Sequence, residues 1–291
     1  MDLYSVLTGA VPHTVPGAAA VHLVDGVVAD SAVAGELVRY ADPAGTLAAE
    51  RPGVTPDTLW DLASVTKLYT TAVVLRLGLD LDSERPGGYT LRQLITHTAG
   101  LPASVPEELR TWPGILAQRA GGPDVYSDVG LLHAGRIAEQ EAGAPLDRLV
   151  RELVTEPLGL GETSYAPDPA RTAATEFKPG RGLVRGKVHD GTAFALGGPC
   201  GHAGLFAPVG EVAAFGEALR TGFCPALVDL PNLRLAGGGF GHTGFTGTGL
   251  FVRGRSVVAL LTNAVHPVRG RNAVDPLRAA VRRLLDAPPG P

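Results

Sequence analysis

Leu59-Trp60-Asp61-Leu62-Ala63-Ser64-Val65-Thr66-Lys67-Leu68-Tyr69-Thr70-Thr71-Ala72-Val73-Val74-Leu75-Arg76 places a hydroxyl three residues before an amine. If residues 64–77 form a helix, positions three apart share a face, so Ser64 Oγ and Lys67 Nζ can meet. That is the geometry of an activated serine nucleophile. The composition sharpens the point: of 25 basic residues only Lys67, Lys178 and Lys187 are lysines. Arginine stays protonated at neutral pH, whereas lysine can act as a base. The plain alternative is a Ser-x-x-Lys pair that falls on one helix face by chance.

The rest of the chain sets the frame for that pair. With 291 residues, 45% hydrophobic and 19% charged, it can build one large or two closely packed domains around a real core. A net charge of −4 and scattered Lys and Arg exclude the basic stripe of a nucleic-acid binder. The stretch Met1–Ala10 lacks a positive n-region, and no apolar run approaches the roughly 18 residues of a membrane span, so the expectation is a cytoplasmic protein with no membrane partner. Cys200 and Cys224 lack metal-knuckle spacing and read as free thiols.

Gly17–Val24 and Gly26–Val33 are short β-branched runs joined at Asp25-Gly26, a hairpin signature. Gly249–Arg253 and Ser256–Thr262 flank a second turn at Arg253-Gly254-Arg255, and Asn272–Leu285 then has helical spacing. Between these ends, Asp61–Leu77, Thr90–Thr96, Glu107–Arg119, Asp128–Ala142 and Leu146–Thr155 each carry helical apolar spacing. The expected fold class is therefore α+β, layered: an antiparallel sheet built from both termini and flanked by helices, with an inserted helical region. The division drawn from this is residues 1–60 plus 195–291 for the sheet domain and 61–194 for the helical one. Pro167–Gly191 lacks periodicity and reads as an ordered crossing loop near the cleft or as a linker.

Two further segments carry chemistry. Tyr126-Ser127-Asp128 stands at a loop-to-helix corner, where a tyrosine near an ammonium can relay a proton; the alternative is a packed Tyr followed by an N-cap. His242-Thr243-Gly244 lies in Phe240-Gly-His-Thr-Gly-Phe-Thr-Gly-Thr248, directly before the C-terminal strand pair. Small residues there let a substrate lie against a strand edge whose N–H groups can bind an oxyanion, or they merely make a glycine-rich hairpin. Gly237–Gly241 precedes strands and does not open a helix, so it is no phosphate loop. His97, His189 and His202 lack zinc spacing and read as hydrogen-bonding supports of a cleft; no metal and no cofactor is expected.

In the order Ser-x-x-Lys, Tyr-x-Asp, His-Thr-Gly, over nearly the whole chain, the sequence resembles the serine β-lactamase and penicillin-binding-protein superfamily, most of all its class C β-lactamase-related esterases and D-peptidases. Leu94–Pro102, Pro157–Leu160, Val188–Gly198, Gly201–Phe206 and Leu261–Pro267 are similar to segments of that group. The resemblance implies a β-lactamase-like fold with the active site between sheet and helices. It implies Ser64 as acyl-enzyme nucleophile, Lys67 as its base and Tyr126 as the second proton-transfer residue. The oxyanion hole follows as the N–H groups of Ser64 and Phe245, with Asp128, His242, Thr243 and Gly244 binding substrate. A helix N-terminus at Ser64 disfavours an ammonium at Lys67 and suits its role as base.

Two residues depart from the family's pattern. Asp128 stands where Asn is commoner; a carboxylate beside Lys67 favours the ammonium, so Asp128 either points elsewhere or joins the proton network. His242 stands where most lactamases have the Lys that pairs with the substrate carboxylate, and imidazole is mostly neutral near pH 7. Arg269 or Arg271 can supply that charge or be solvated loop residues. The resulting expectation is a serine acyl-transfer enzyme acting on a small ester or amide, foremost a cytoplasmic esterase-type hydrolase. The other readings are a transacylase passing the acyl group to an amine or alcohol, a D-peptidase or weak β-lactamase, and a non-catalytic binding module on the same fold.

Overall fold

The structure, a computed structural model, describes residues 2–270 and 273–286. Helix α1 (Leu3–Ala10) is capped by Asp2, whose carboxylate accepts from Ser5 N. Strands β1 (Gly17–Val24) and β2 (Val27–Gly35) follow as the expected hairpin. Asp25 and Gly26 at its tip both have positive φ, as a tight two-residue turn between twisted strands requires.

Strand β3 (Trp60–Asp61), a 3₁₀ turn at Ala63–Val65 and helix α2 (Thr66–Arg76) form the segment quoted above. Helix α3 (Leu91–Thr96) starts with a reciprocal capping box between Thr90 and Gln93. Helices α4 (Trp112–Leu116), α5 (Asp128–Ala142) and α6 (Leu146–Val150) come next, the last running on as a π turn through Thr155. The single helix expected over Glu107–Arg119 is instead a 3₁₀ turn at Glu107–Leu109 followed by α4. Thr111 caps a new start there by accepting from Gly114 N, and Pro113 fits a first turn but not a helix interior.

Residues 167–191 are a crossing segment with structure of its own. It holds the small hairpin of β4 (Phe177–Lys178) and β5 (Gly182–Leu183) and ends at Asp190, the N-cap of α7 (Gly191–Leu196). Beyond it lie β6 (Phe206–Ala207), which pairs with β3, then α8 (Val209–Arg220) and α9 (Pro225–Val228). Strands β7 (Phe240–Thr243), β8 (Gly249–Arg253) and β9 (Ser256–Thr262) and helix α10 (Asp275–Arg282) complete the order. Position 272, where the sequence reading began its last helix, lies outside the described residues, as does Arg271.

The main sheet runs β2-β1-β9-β8-β7, antiparallel throughout. The N-terminal hairpin meets the C-terminal one through β1 and β9, in register from Ala18 opposite Thr262 to Val24 opposite Ser256. Alternation along these strands divides two cores. Ala19, Val21, Leu23, Val257, Ala259 and Leu261 face α8 and the helical region, in one cluster that runs on to Leu68, Leu94 and Leu132. Ala18, Ala20, Val258 and Leu260 face α1 and α10. Packing on both faces explains why β1 reads as a small-apolar run, broken only by the buried His22, rather than an alternating one.

Helix α8 lies close on the sheet because Gly216 has no side chain. A Cβ there would stand 2.7 Å from a Leu250 methyl and 2.8 Å from a Val257 methyl. Overfilling such a contact costs about 1–3 kcal/mol. Gly216→Val is therefore expected to lower the urea midpoint by a corresponding amount at unchanged m-value; an unchanged midpoint would contradict the close approach.

Candidate active site

Ser64 is delivered by a bent approach rather than by a simple helix start. Ala63 adopts a left-handed φ of 47°, a conformation a side chain tolerates only when its surroundings hold it. The Asp61 carboxylate does the holding. One oxygen accepts from Ala63 N at 2.8 Å and the other from His189 N at 2.6 Å, while full burial pushes the carboxyl's pKa up. The Ser64 N–H lies ahead of the turn's first hydrogen bond, Val65 N to Leu62 O, and so keeps clear of that ladder.

One turn later, Lys67 Nζ is buried among three oxygens. It donates to Ser64 Oγ at 2.8 Å and to His202 O at 3.0 Å, and it lies 2.7 Å from an Asp128 carboxylate oxygen. Asp128 thus joins the proton network and does not point elsewhere. A buried amine takes up a proton at low cost only among oxygens, and here three separate segments supply them. Two hydrogen-bond acceptors and a carboxylate in ion-pair range suit the lysine once it has taken the serine's proton.

Tyr126 lies over this nitrogen, its ring centroid 5.0 Å from Lys67 Nζ. About half its surface is exposed, and its hydroxyl has no hydrogen-bond partner among the described residues. The corner that carries it is tightly fixed. Ser127, not Asp128, is the N-cap of α5: its hydroxyl accepts from Gly130 N and donates to Pro102 O. The Ser127 N–H donates to His97 Nδ1, and the His97 ring stacks against Tyr126 at 4.4 Å. His97 is therefore the support that its place in the sequence suggested. His189 bonds to Glu176 at 2.9 Å and His202 to Asp190 at 2.8 Å.

The third segment comes in on the edge strand β7. Gly244 allows its closest point: a Cβ there would be 2.4 Å from Leu62 O and 2.1 Å from the Thr248 hydroxyl. Thr246 Oγ1 donates to Asp61 O and Thr248 Oγ1 to Leu62 O, so the β7–β8 turn is bonded directly to the nucleophile's approach. The Phe245 N–H is without a hydrogen-bond acceptor among the described residues and stands in the wall beside Ser64. His242 is half-buried, with Nδ1 at 2.9 Å from Thr243 O. Burial and then the Lys67 charge push its pKa down to about 3, so it is neutral at physiological pH. Thr243 is exposed at the same edge.

Two cavities meet at Ser64, and both are also lined by Tyr126 and Phe245. One, of about 340 Å³, is bounded by Asp128, Asp190 and three cations that sequence spacing did not bring together, Arg110, Lys178 and Arg269. The other, of about 500 Å³, runs along β7 past His242 and Thr243 to Arg278. Asp128, Asp190 and His202 present metal-ligating atoms within 4.8 Å of one another, but Lys67 already neutralises Asp128 there. Cys200 is free and buried, its thiol pushed up to about 12 by burial, which makes it inert rather than nucleophilic.

A family model for beta-lactamases matches residues 9–283. The chain belongs to the beta-lactamase family. An Escherichia coli (strain K12) protein named "Putative D-alanyl-D-alanine carboxypeptidase" is 30% identical over 236 residues, 61% of this chain and 54% of that protein. This chain thus spans about half the length of the curated relatives it matches. Two solved structures share the fold over nearly the whole chain. EstCE1, a hydrolase with promiscuous acyltransferase activity, superposes with a TM-score of 0.72 at 20% identity and 97% coverage of both chains. A class C β-lactamase from Rhodobacter sphaeroides gives 0.68 at 18%, again covering 97% of each. No helix among the described residues is long and apolar enough to cross a membrane.

Two predictions follow from the electrostatics. Asp128→Asn removes the carboxylate that lies 2.7 Å from Lys67 Nζ, so kcat/KM is expected to fall by about 10-fold or more; an unchanged kcat/KM would remove Asp128 from the proton network. His97, His242 and His266 have pKa values pushed down by burial to about 4, 3 and 4 from 6.5. Between those values and 6.5 the unfolded chain binds more protons than the folded one, so their stabilisation is complete above about pH 6.5 and is lost as the pH falls towards 4. The Tm at pH 5 is expected below that at pH 7.5, and an equal or higher value would contradict these assignments.

Proposed function

We propose that this protein is an esterase-type serine hydrolase acting on a small-molecule ester. Ser64 Oγ attacks the carbonyl, its proton passes to Lys67, and Tyr126 relays a proton to the departing alcohol. The Ser64–acyl bond forms as the ester C–O bond breaks; water then attacks the acyl-enzyme and releases the acid. The Ser64 and Phe245 N–H groups receive the charge that develops on the carbonyl oxygen. The observation that carries the reading is Lys67 Nζ at 2.8 Å from Ser64 Oγ, with Asp128 and His202 O placed to hold the ammonium that forms.

The preference for an ester over a β-lactam or a peptide C-terminus rests on the third motif. His242 is neutral there, and Arg278, the nearby cation, is spent on Gly244 O, Thr248 O and Asp275. Neither offers the ready positive charge that a substrate carboxylate needs beside Thr243. A specific observation also supports acyl transfer as a second reading: Ser64 opens onto two cavities, so an amine or alcohol acceptor has a place of its own. The two unpaired cysteines support a cytoplasmic setting.

Intact-mass measurement after incubation with para-nitrophenyl esters is expected to show an acyl adduct in the wild type and none in Ser64→Ala, with kcat/KM lower by about 10³-fold or more in the variant. A chromogenic cephalosporin is expected to turn over far more slowly than the best ester. No adduct, together with ester hydrolysis unaffected by Ser64→Ala, would leave a binding module as the reading. Product analysis with added amines separates hydrolysis from transfer.

A further inference from the structure

The smaller cavity at Ser64 carries a charge that the reaction does not use. Its acidic groups are engaged: Asp128 with Lys67, and Asp190 with His202 and Ala193 N. Lys178 and Arg269 share Glu176, at 3.7 and 3.3 Å, and that carboxylate also takes a bond from His189. Arg110 differs. It follows the 3₁₀ turn at Glu107–Leu109, is half-buried in the wall, and has no carboxylate partner among the described residues; its Nε is buried without an acceptor. Its guanidinium lies against Gly191, where a Cβ would be 3.0 Å from Nη1, so the glycine leaves room for it.

A half-buried cation without a carboxylate partner gains by binding one, because its partial desolvation is then returned. A planar guanidinium in a small cavity beside a nucleophile fits a carboxylate, which it can take up with two parallel bonds. The two cavities also differ in what they must do. The acyl group stays on Ser64 through both half-reactions, whereas the leaving group and the incoming acceptor exchange between them. The narrow cavity of about 340 Å³ suits the part that stays, and the larger one along β7 suits the parts that exchange.

We propose that the acyl part of the substrate is a short chain ending in a carboxylate, and that Arg110 is the residue that selects it. This rests on the acyl-enzyme reading above. The product of hydrolysis is then a small dicarboxylic acid, released as water splits the Ser64 ester. Lys178 and Arg269 add positive field across the cavity while staying bound to Glu176.

The test compares the mono-para-nitrophenyl ester of glutaric acid with the ester of its mono-amide, which has the same shape without the charge. The wild type is expected to favour the carboxylate by about 10-fold to 100-fold in kcat/KM, the usual size of a charge-assisted hydrogen bond. Arg110→Met is expected to bring the ratio near one, and Arg110→Lys to keep part of it. Equal rates in the wild type overturn the proposal, and so does a ratio that survives in Arg110→Met. The wild-type comparison decides the matter even if a variant does not fold. Failure of the underlying reading looks different: neither ester then leaves an adduct on Ser64.

Discussion

The placement of Lys67 Nζ is the constraint on which the site depends. A buried nitrogen that gains charge during the reaction needs oxygens around it, and they come from the turn at Ser64, the start of α5 and the loop at His202. Those three segments are far apart in the chain, so satisfying one nitrogen fixes their relative positions. The helical region is thereby locked onto the segment that leads back to the sheet.

Much of this was legible in the chain. The spacing of Ser64 and Lys67 needs only one helical turn to become a contact. The two hairpins announced themselves through Asp25-Gly26 and Arg253-Gly254-Arg255, where local turn chemistry decides the structure. That both termini share one antiparallel sheet could be argued from the placement of the strands at the two ends. Local rules served less well where prolines and caps compete, and Glu107–Arg119 broke into two short pieces at Thr111 and Pro113.

What stayed hidden was whatever tertiary packing alone creates. Arg110, Lys178 and Arg269 lie on three separate segments with no shared periodicity, and only the fold turns them into one wall. The aperiodic stretch of residues 167–191 supplies Lys178, His189 and Asp190 to that wall, a role that composition alone does not reveal. His242 shows the same limit in another form. Its identity was plain, but its neutrality is set by burial and by a lysine 175 positions earlier in the chain. Asp128 was recognised as a departure, and its direction required coordinates.

The hydroxyls of Thr246 and Thr248 donate to the carbonyls of Asp61 and Leu62, on the two residues that lead into the nucleophile's turn. The two donors assigned to the oxyanion therefore belong to one bonded unit of backbone, although one sits at the start of a helix and the other on a strand's turn. Loops that shape the cavities can drift in sequence, or shift on binding, without altering the gap between those donors. The chemistry is in this sense insulated from the specificity: a chain built this way can change what it acts on while the machinery that acts stays in tune.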